Sequence, residues 1–261
     1  MGAGHGHGAG HAGTRHRWRL AVAFGLVASF FVVELVIGLL SGSLALISDA
    51  GHMAADVVAL GAALAATKIA TRPDQTGRRS YGSYRAEIFA SGLTVLIMLG
   101  VSAYVVVEAL GRLGETVEVD AGPVVVVGII GLLINVVSIV LLRGGSSESL
   151  NVKGAYYEVV ADAAGSVGVI AAGILVSITG EGWWDTVVAL AIGAFVAVRA
   201  LVLGREVLAV LGQHVPAGME LAEVVRDLES VPGVTDVHDL HVWTLTSGMF
   251  VATAHVVVEH R

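Results

Sequence analysis

Inside an apolar stretch running from residue 44 to residue 66 lies a polar island, Ser48-Asp49-Ala50-Gly51-His52-Met53-Ala54-Ala55-Asp56. His52 and Asp56 are four residues apart, so on a helix they stand one above the other on one face. A second island repeats the arrangement: Glu158 and Asp162, also four apart, within the apolar run 152–178. An ionisable side chain at bilayer depth costs on the order of 3 kcal/mol. Four of them at matching spacing therefore demand a compensating role. Two helices that each offer an i, i+4 pair of donors can converge on one four-coordinate divalent cation.

The rest of the chain makes bilayer depth the right frame. Hydrophobic residues are 55% of the sequence and charged residues 14%, a balance that belongs to an integral membrane protein. The net charge of −7 excludes nucleic acid as a natural partner. With no cysteine, any metal site must use imidazole, carboxylate and backbone oxygen.

Residues 1–19 carry His5, His7, His11 and His16 among glycines, then Arg15, Arg17 and Arg19, and are expected to form a disordered tail able to collect borderline cations. The apolar run behind it lacks a small-residue cleavage site, so no removable signal peptide is expected. Six apolar runs follow, at 20–40, 44–66, 88–110, 124–142, 152–178 and 187–203, each long enough to cross ~30 Å of hydrocarbon as a helix. The expected fold is an all-α membrane domain of six transmembrane helices over residues 20–208, plus a small α/β domain over 209–261. Basic residues gather in the amino-terminal tail, between the second and third runs (Lys68, Arg72, Arg78, Arg79, Arg85) and between the fourth and fifth (Arg143, Lys153). The opposite side has Arg112 among Glu115, Glu118, Asp120, Glu181 and Asp185. Both termini should then be cytoplasmic.

At ~1.5 Å per residue, His52 and Asp56 lie ~12 and ~18 Å below the outer end of their helix, and Glu158 and Asp162 lie ~9 and ~15 Å above the inner end of theirs. Both pairs reach the middle of the membrane. Asp49, one turn outward of His52, is placed as a relay or auxiliary ligand. Glu34 and Asn135 are read as inter-helix hydrogen-bonding groups.

Beyond Arg205 an amphipathic run at 217–230 is followed by two strand-like runs, 234–245 and 249–259, meeting at Thr246-Ser247-Gly248. His214, His238, His241, His255 and His260 cluster here, as candidates for a cytoplasmic metal site. Strict alternation puts His238 and His241 on opposite faces. A tip at Ser247-Gly248 would set residue 240 opposite 255, leaving His238 and His255 on one face as the core of that site, whereas a register slipped by one would put His241 on that face in place of His238.

Taken together, Ser43-Leu44-Ala45-Leu46-Ile47-Ser48-Asp49-Ala50-Gly51-His52-Met53-Ala54-Ala55-Asp56, Tyr81-Gly82-Ser83-Tyr84-Arg85-Ala86-Glu87, Asn151-Val152-Lys153-Gly154-Ala155, Asp162-Ala163-Ala164-Gly165-Ser166-Val167-Gly168-Val169 and His238-Asp239-Leu240-His241-Val242-Trp243 resemble the cation diffusion facilitator family, in particular its zinc-transporter branch. The resemblance spans residues 20 to 261. It implies a homodimer in a bacterial inner membrane that exports divalent metal against protons, with a metallochaperone-like, ferredoxin-like cytoplasmic domain. It also implies a further helix and strand beyond Arg261, so that the domain here is expected to be partial, either cut short or reduced in this member. The zinc branch carries His-x-x-x-Asp on both ligand helices, whereas this chain reads Glu158-x-x-x-Asp162. One nitrogen and three carboxylates make a harder site, which widens the expected cargo from Zn2+ and Cd2+ toward Mn2+, Co2+ and Ni2+. No resident cofactor is expected. Two other classes compete: a metal sensor without net transport, and an intramembrane metallohydrolase. The hydrolase needs an open coordination position and a general base, and all four candidates here look like ligands.

Overall fold

The computed structural model describes residues 17–70, 81, 84–112, 115–143, 150–246 and 248–259, with no side-chain detail for 17–21, 23, 24, 59–70 and 150–155. Six long helices come first: α1 (Arg17–Ser41), α2 (Leu44–Ala70), α3 (Ala86–Gly111), α4 (Ala121–Arg143), α5 (Leu150–Thr179) and α6 (Trp183–Leu211). They coincide with the six apolar runs, five of them a turn or so longer and α6 longer by about three turns. Among the described residues four stretches are long and apolar enough to cross a membrane: Ala86–Gly111, Ala121–Arg143, Tyr156–Thr179 and Trp183–Leu211. Within α1, the stretch Gly25–Ser41, whose side chains are all described, is a shorter apolar helix. Then come a short amphipathic helix, α7 (Leu221–Glu229), and an antiparallel hairpin of β1 (Val234–Thr246) and β2 (Met249–Val258). The His-rich segment 1–16, the basic residues Arg72, Arg78 and Arg79, and His260 lie outside the described residues.

The contacts divide the chain into two compact units. The first comprises residues 1–57 and 97–198. Its core joins Phe30 of α1, Leu44, Leu46 and Met53 of α2, Val105 of α3, Val124 and Val127 of α4, Val169 of α5 and Ala189 of α6. Close approach here depends on missing side chains. A Cβ on Gly51 would come within 2.3 Å of the Val101 side chain, and one on Gly131 within 2.7 Å of the Phe30 ring. The α1–α2 joint is a single tight turn in which Gly42 takes φ +70°, a conformation glycine adopts without strain.

The second unit comprises residues 58–96 and 199–261. In it α3 and α6 approach at Gly92 beside Val207 and at Gly204 beside Val95. The helix α7 packs on β1. The hydroxyl of Thr246, at the end of β1, donates a short hydrogen bond to the Glu87 carboxylate at the start of α3.

The hairpin departs from the expected register. His238, not residue 240, stands opposite His255, and His241 stands opposite Thr253. Three steps along β1 thus match two along β2. The extra residue is absorbed by a bulge at Asp239, which takes φ +53°, a left-handed conformation that Asp tolerates better than most residues. The bulge restores phase. His238 and His241 therefore share the exposed face with His255, contrary to strict alternation, while Val237 and Val242 are both buried.

Candidate metal centre

The candidate centre lies within the first unit, where α2 meets α5. Helical spacing brings the Asp56 carboxylate under the His52 ring, with Oδ2 3.7 Å from Nε2. From α5, Asp162 presents Oδ1 3.4 Å from the same nitrogen. Ligand atoms of His52, Asp56 and Asp162 all lie within 4.8 Å of one another. A tetrahedron with metal–ligand bonds of 2.0–2.1 Å has edges of about 3.3 Å, so the His52–Asp162 separation is already that of two ligands on one ion. An imidazole with hard oxygen donors suits a borderline divalent cation. The His52 ring is held edge-on by Phe195 of α6, with centroids 6.4 Å apart and planes at 86°.

Three of the four expected ligands are thus drawn together. Glu158, one turn before Asp162 on α5 and half-buried, lies outside the group of three. Asp49 is buried but also stands apart from the group. It shares a carboxyl–carboxyl hydrogen bond with Glu34 of α1 and rests on the backbone of α5 at Gly165. Asn135 of α4 donates to the Ser166 hydroxyl of α5 at 3.3 Å, the inter-helix role read for it.

In the hairpin the His238 and His255 rings meet edge to face, with centroids 5.4 Å apart. Nδ1 of His238 lies 2.8 Å from the Asp236 carboxylate, and Nδ1 of His255 lies 3.5 Å from that of Asp239. A carboxylate on Nδ1 fixes the ring and leaves Nε2 as the donor, the usual support for a metal-binding histidine. His241 sits on the next described rung. His214 lies in the α6–α7 connection, where its N–H donates to the Ala209 carbonyl at 2.9 Å. Among the described residues no ring contact joins it to the hairpin.

Neither the role of Phe195 nor the place of Asp185 is legible in the sequence. Phe195 is one apolar residue in an apolar helix and carries no signal. Asp185, which the sequence places with Glu115, Glu118, Asp120 and Glu181 on one side of the membrane, is wholly buried and bonded to the start of α2.

Apolar helices enclosing a buried imidazole–carboxylate cluster define a membrane protein that handles metal cations. The chain belongs to the cation efflux family: residues 20–211 match the cation efflux transmembrane domain, and residues 216–261 match the cytoplasmic domain of cation efflux proteins. It is 46% identical over 257 residues to the metal cation efflux system protein CzcD of Cupriavidus metallidurans, covering 98% of this chain and 80% of that protein. It is 36% identical over 242 residues to the zinc transporter ZitB of Escherichia coli, covering 92% and 77%. To the cadmium, cobalt and zinc/H(+)-K(+) antiporter of Bacillus subtilis it is 31% identical over 244 residues, covering 93% and 78%. These relatives are named as efflux proteins, transporters and antiporters, not as enzymes, and this chain is likewise a metal cation efflux protein.

Proposed function

We propose that the protein exports Zn2+, and with it Cd2+, Co2+, Ni2+ and Mn2+, from the cytoplasm in exchange for protons. Transport proceeds by alternating access to a tetrahedral site of His52, Asp56, Glu158 and Asp162. The observation that carries this reading is the convergence of His52 and Asp56 from α2 with Asp162 from α5 within 4.8 Å between apolar helices, with His52 and Asp162 buried and Asp56 half-buried. Glu158 completes the set by a side-chain rotation, since it stands one helical turn from Asp162 on the same face. Its carboxylate in place of an imidazole broadens the cargo toward oxygen-preferring ions.

Proton exchange follows from the ligand chemistry. Carboxylates and imidazole bind either protons or a dication, and an entering dication favours their ionised or neutral-base forms, so protons leave as metal binds. Exposing those groups alternately to two compartments makes the competition an antiport. The protein works as a homodimer of six-span protomers in a bacterial inner membrane, both termini cytoplasmic. His238 and His255, supported by Asp236 and Asp239, form a second, cytoplasmic metal site, with His241 on the same face.

Purified protein in sealed liposomes with a proton-sensitive dye inside tests this. A zinc gradient should drive zinc movement and opposite proton movement together. Zinc bound without net flux would overturn the reading in favour of a sensor.

A further inference from the structure

The helix that bears His52 and Asp56 is tied down at its N-terminal end by a residue of another helix. Asp185 of α6 accepts the Leu44 N–H at 2.6 Å, the Ala45 N–H at 3.3 Å and the Ser43 hydroxyl at 2.6 Å. The Ser43 hydroxyl in turn accepts the Leu46 N–H at 3.1 Å. Arg112, just past the end of α3, completes the clasp: Nη1 lies 3.7 Å from Asp185 Oδ2 and donates to the Gly42 carbonyl at 3.1 Å. A carboxylate thus takes up N–H groups that a helix start leaves without intrahelical partners, at the end where the helix dipole favours negative charge. One turn further in, the Ser48 hydroxyl donates to the Ala189 carbonyl of α6 at 3.3 Å.

Burial along α2 is asymmetric about the metal ligands. From Ser43 to Ala50 every residue but Ile47 is buried. Past the site it loosens: the Asp56 side chain is 28% exposed against 3% for His52, and Val57 and Val58 are half-buried. Packing along α2 is therefore tight on the Asp185 side of the site and looser on the Asp56 side.

We propose that the clasp of Asp185, Ser43, the α2 start and Arg112 is the outer gate of the transport path, which must release once per cycle for metal to leave. This rests on the transport reading and adds the contacts that break. Polar contacts suit the task, because the groups they release are rehydrated by the water that enters as the path opens.

The chain has no cysteine, so engineered pairs report without background. Ser43→Cys/Asp185→Cys, reconstituted and oxidised with copper–phenanthroline, should lose zinc flux by about tenfold or more and regain it with dithiothreitol, while still binding zinc. If the reduced pair is itself slow, Ser48→Cys/Ala189→Cys, one turn deeper with Asp185 in place, decides by the same criterion. Unchanged flux in protein shown by mass to be cross-linked would overturn the gate. The flux of unsubstituted protein, measured alongside, tests the transport reading separately.

Discussion

Asp49 and Gly165 are in direct contact across the α2–α5 interface: a Cβ on Gly165 would sit 2.5 Å from Asp49 Oδ1. The carboxyl occupies the space a side chain would need, so this glycine sets how closely the two ligand helices approach. Gly165→Ala should force them apart three residues from Asp162, at an overpacking cost of about 1–3 kcal/mol. Zinc affinity at the membrane site should fall, and thermal unfolding of the detergent-solubilised protein should shift downward. Unchanged affinity by isothermal titration would show that the interface yields without moving the ligands.

Glu158 is the position where this chain leaves the zinc-branch pattern. Glu158→His should move preference toward zinc over manganese, and Glu158→Ala should nearly abolish flux, read by competitive uptake into vesicles. Normal transport by Glu158→Ala would remove this residue from the ligand set, leaving the three that already converge.

The proposed hairpin site should be separable from the path through the membrane. His238→Ala/His255→Ala should remove one zinc-binding event from a titration and leave metal-driven flux in place. Complete loss of flux in a folded variant would make the hairpin part of the route.

Orientation can be read chemically. A cysteine at Glu118 should react with an impermeant thiol reagent applied to intact cells, and one at Arg143 should not. The reverse pattern would invert the direction assigned to export.

Much of this was legible in the sequence because helical geometry fixes it locally. The His52–Asp56 spacing dictates that the two side chains stack, and the apolar runs dictate the six long helices. Features that depend on contacts between distant segments were not legible. Asp185 reads like the acids around it, since nothing local shows that it will be buried against the start of α2. The Asp239 bulge broke an alternation argument that counted residues correctly but could not foresee an extra one in the ladder. Glu158 matched the expected spacing yet stands outside the group of three, because spacing fixes the face of a helix and not the side-chain rotamer.

The most direct test of the membrane centre is zinc flux into proteoliposomes by Asp162→Asn, a near-isosteric change that removes one charged ligand from α5. A loss of roughly a hundredfold or more is expected, with the protein still folded and zinc binding retained at the proposed hairpin site. Flux within about twofold of the unsubstituted protein would contradict it, because a transport site shared by α2 and α5 cannot lose that carboxylate and work unchanged.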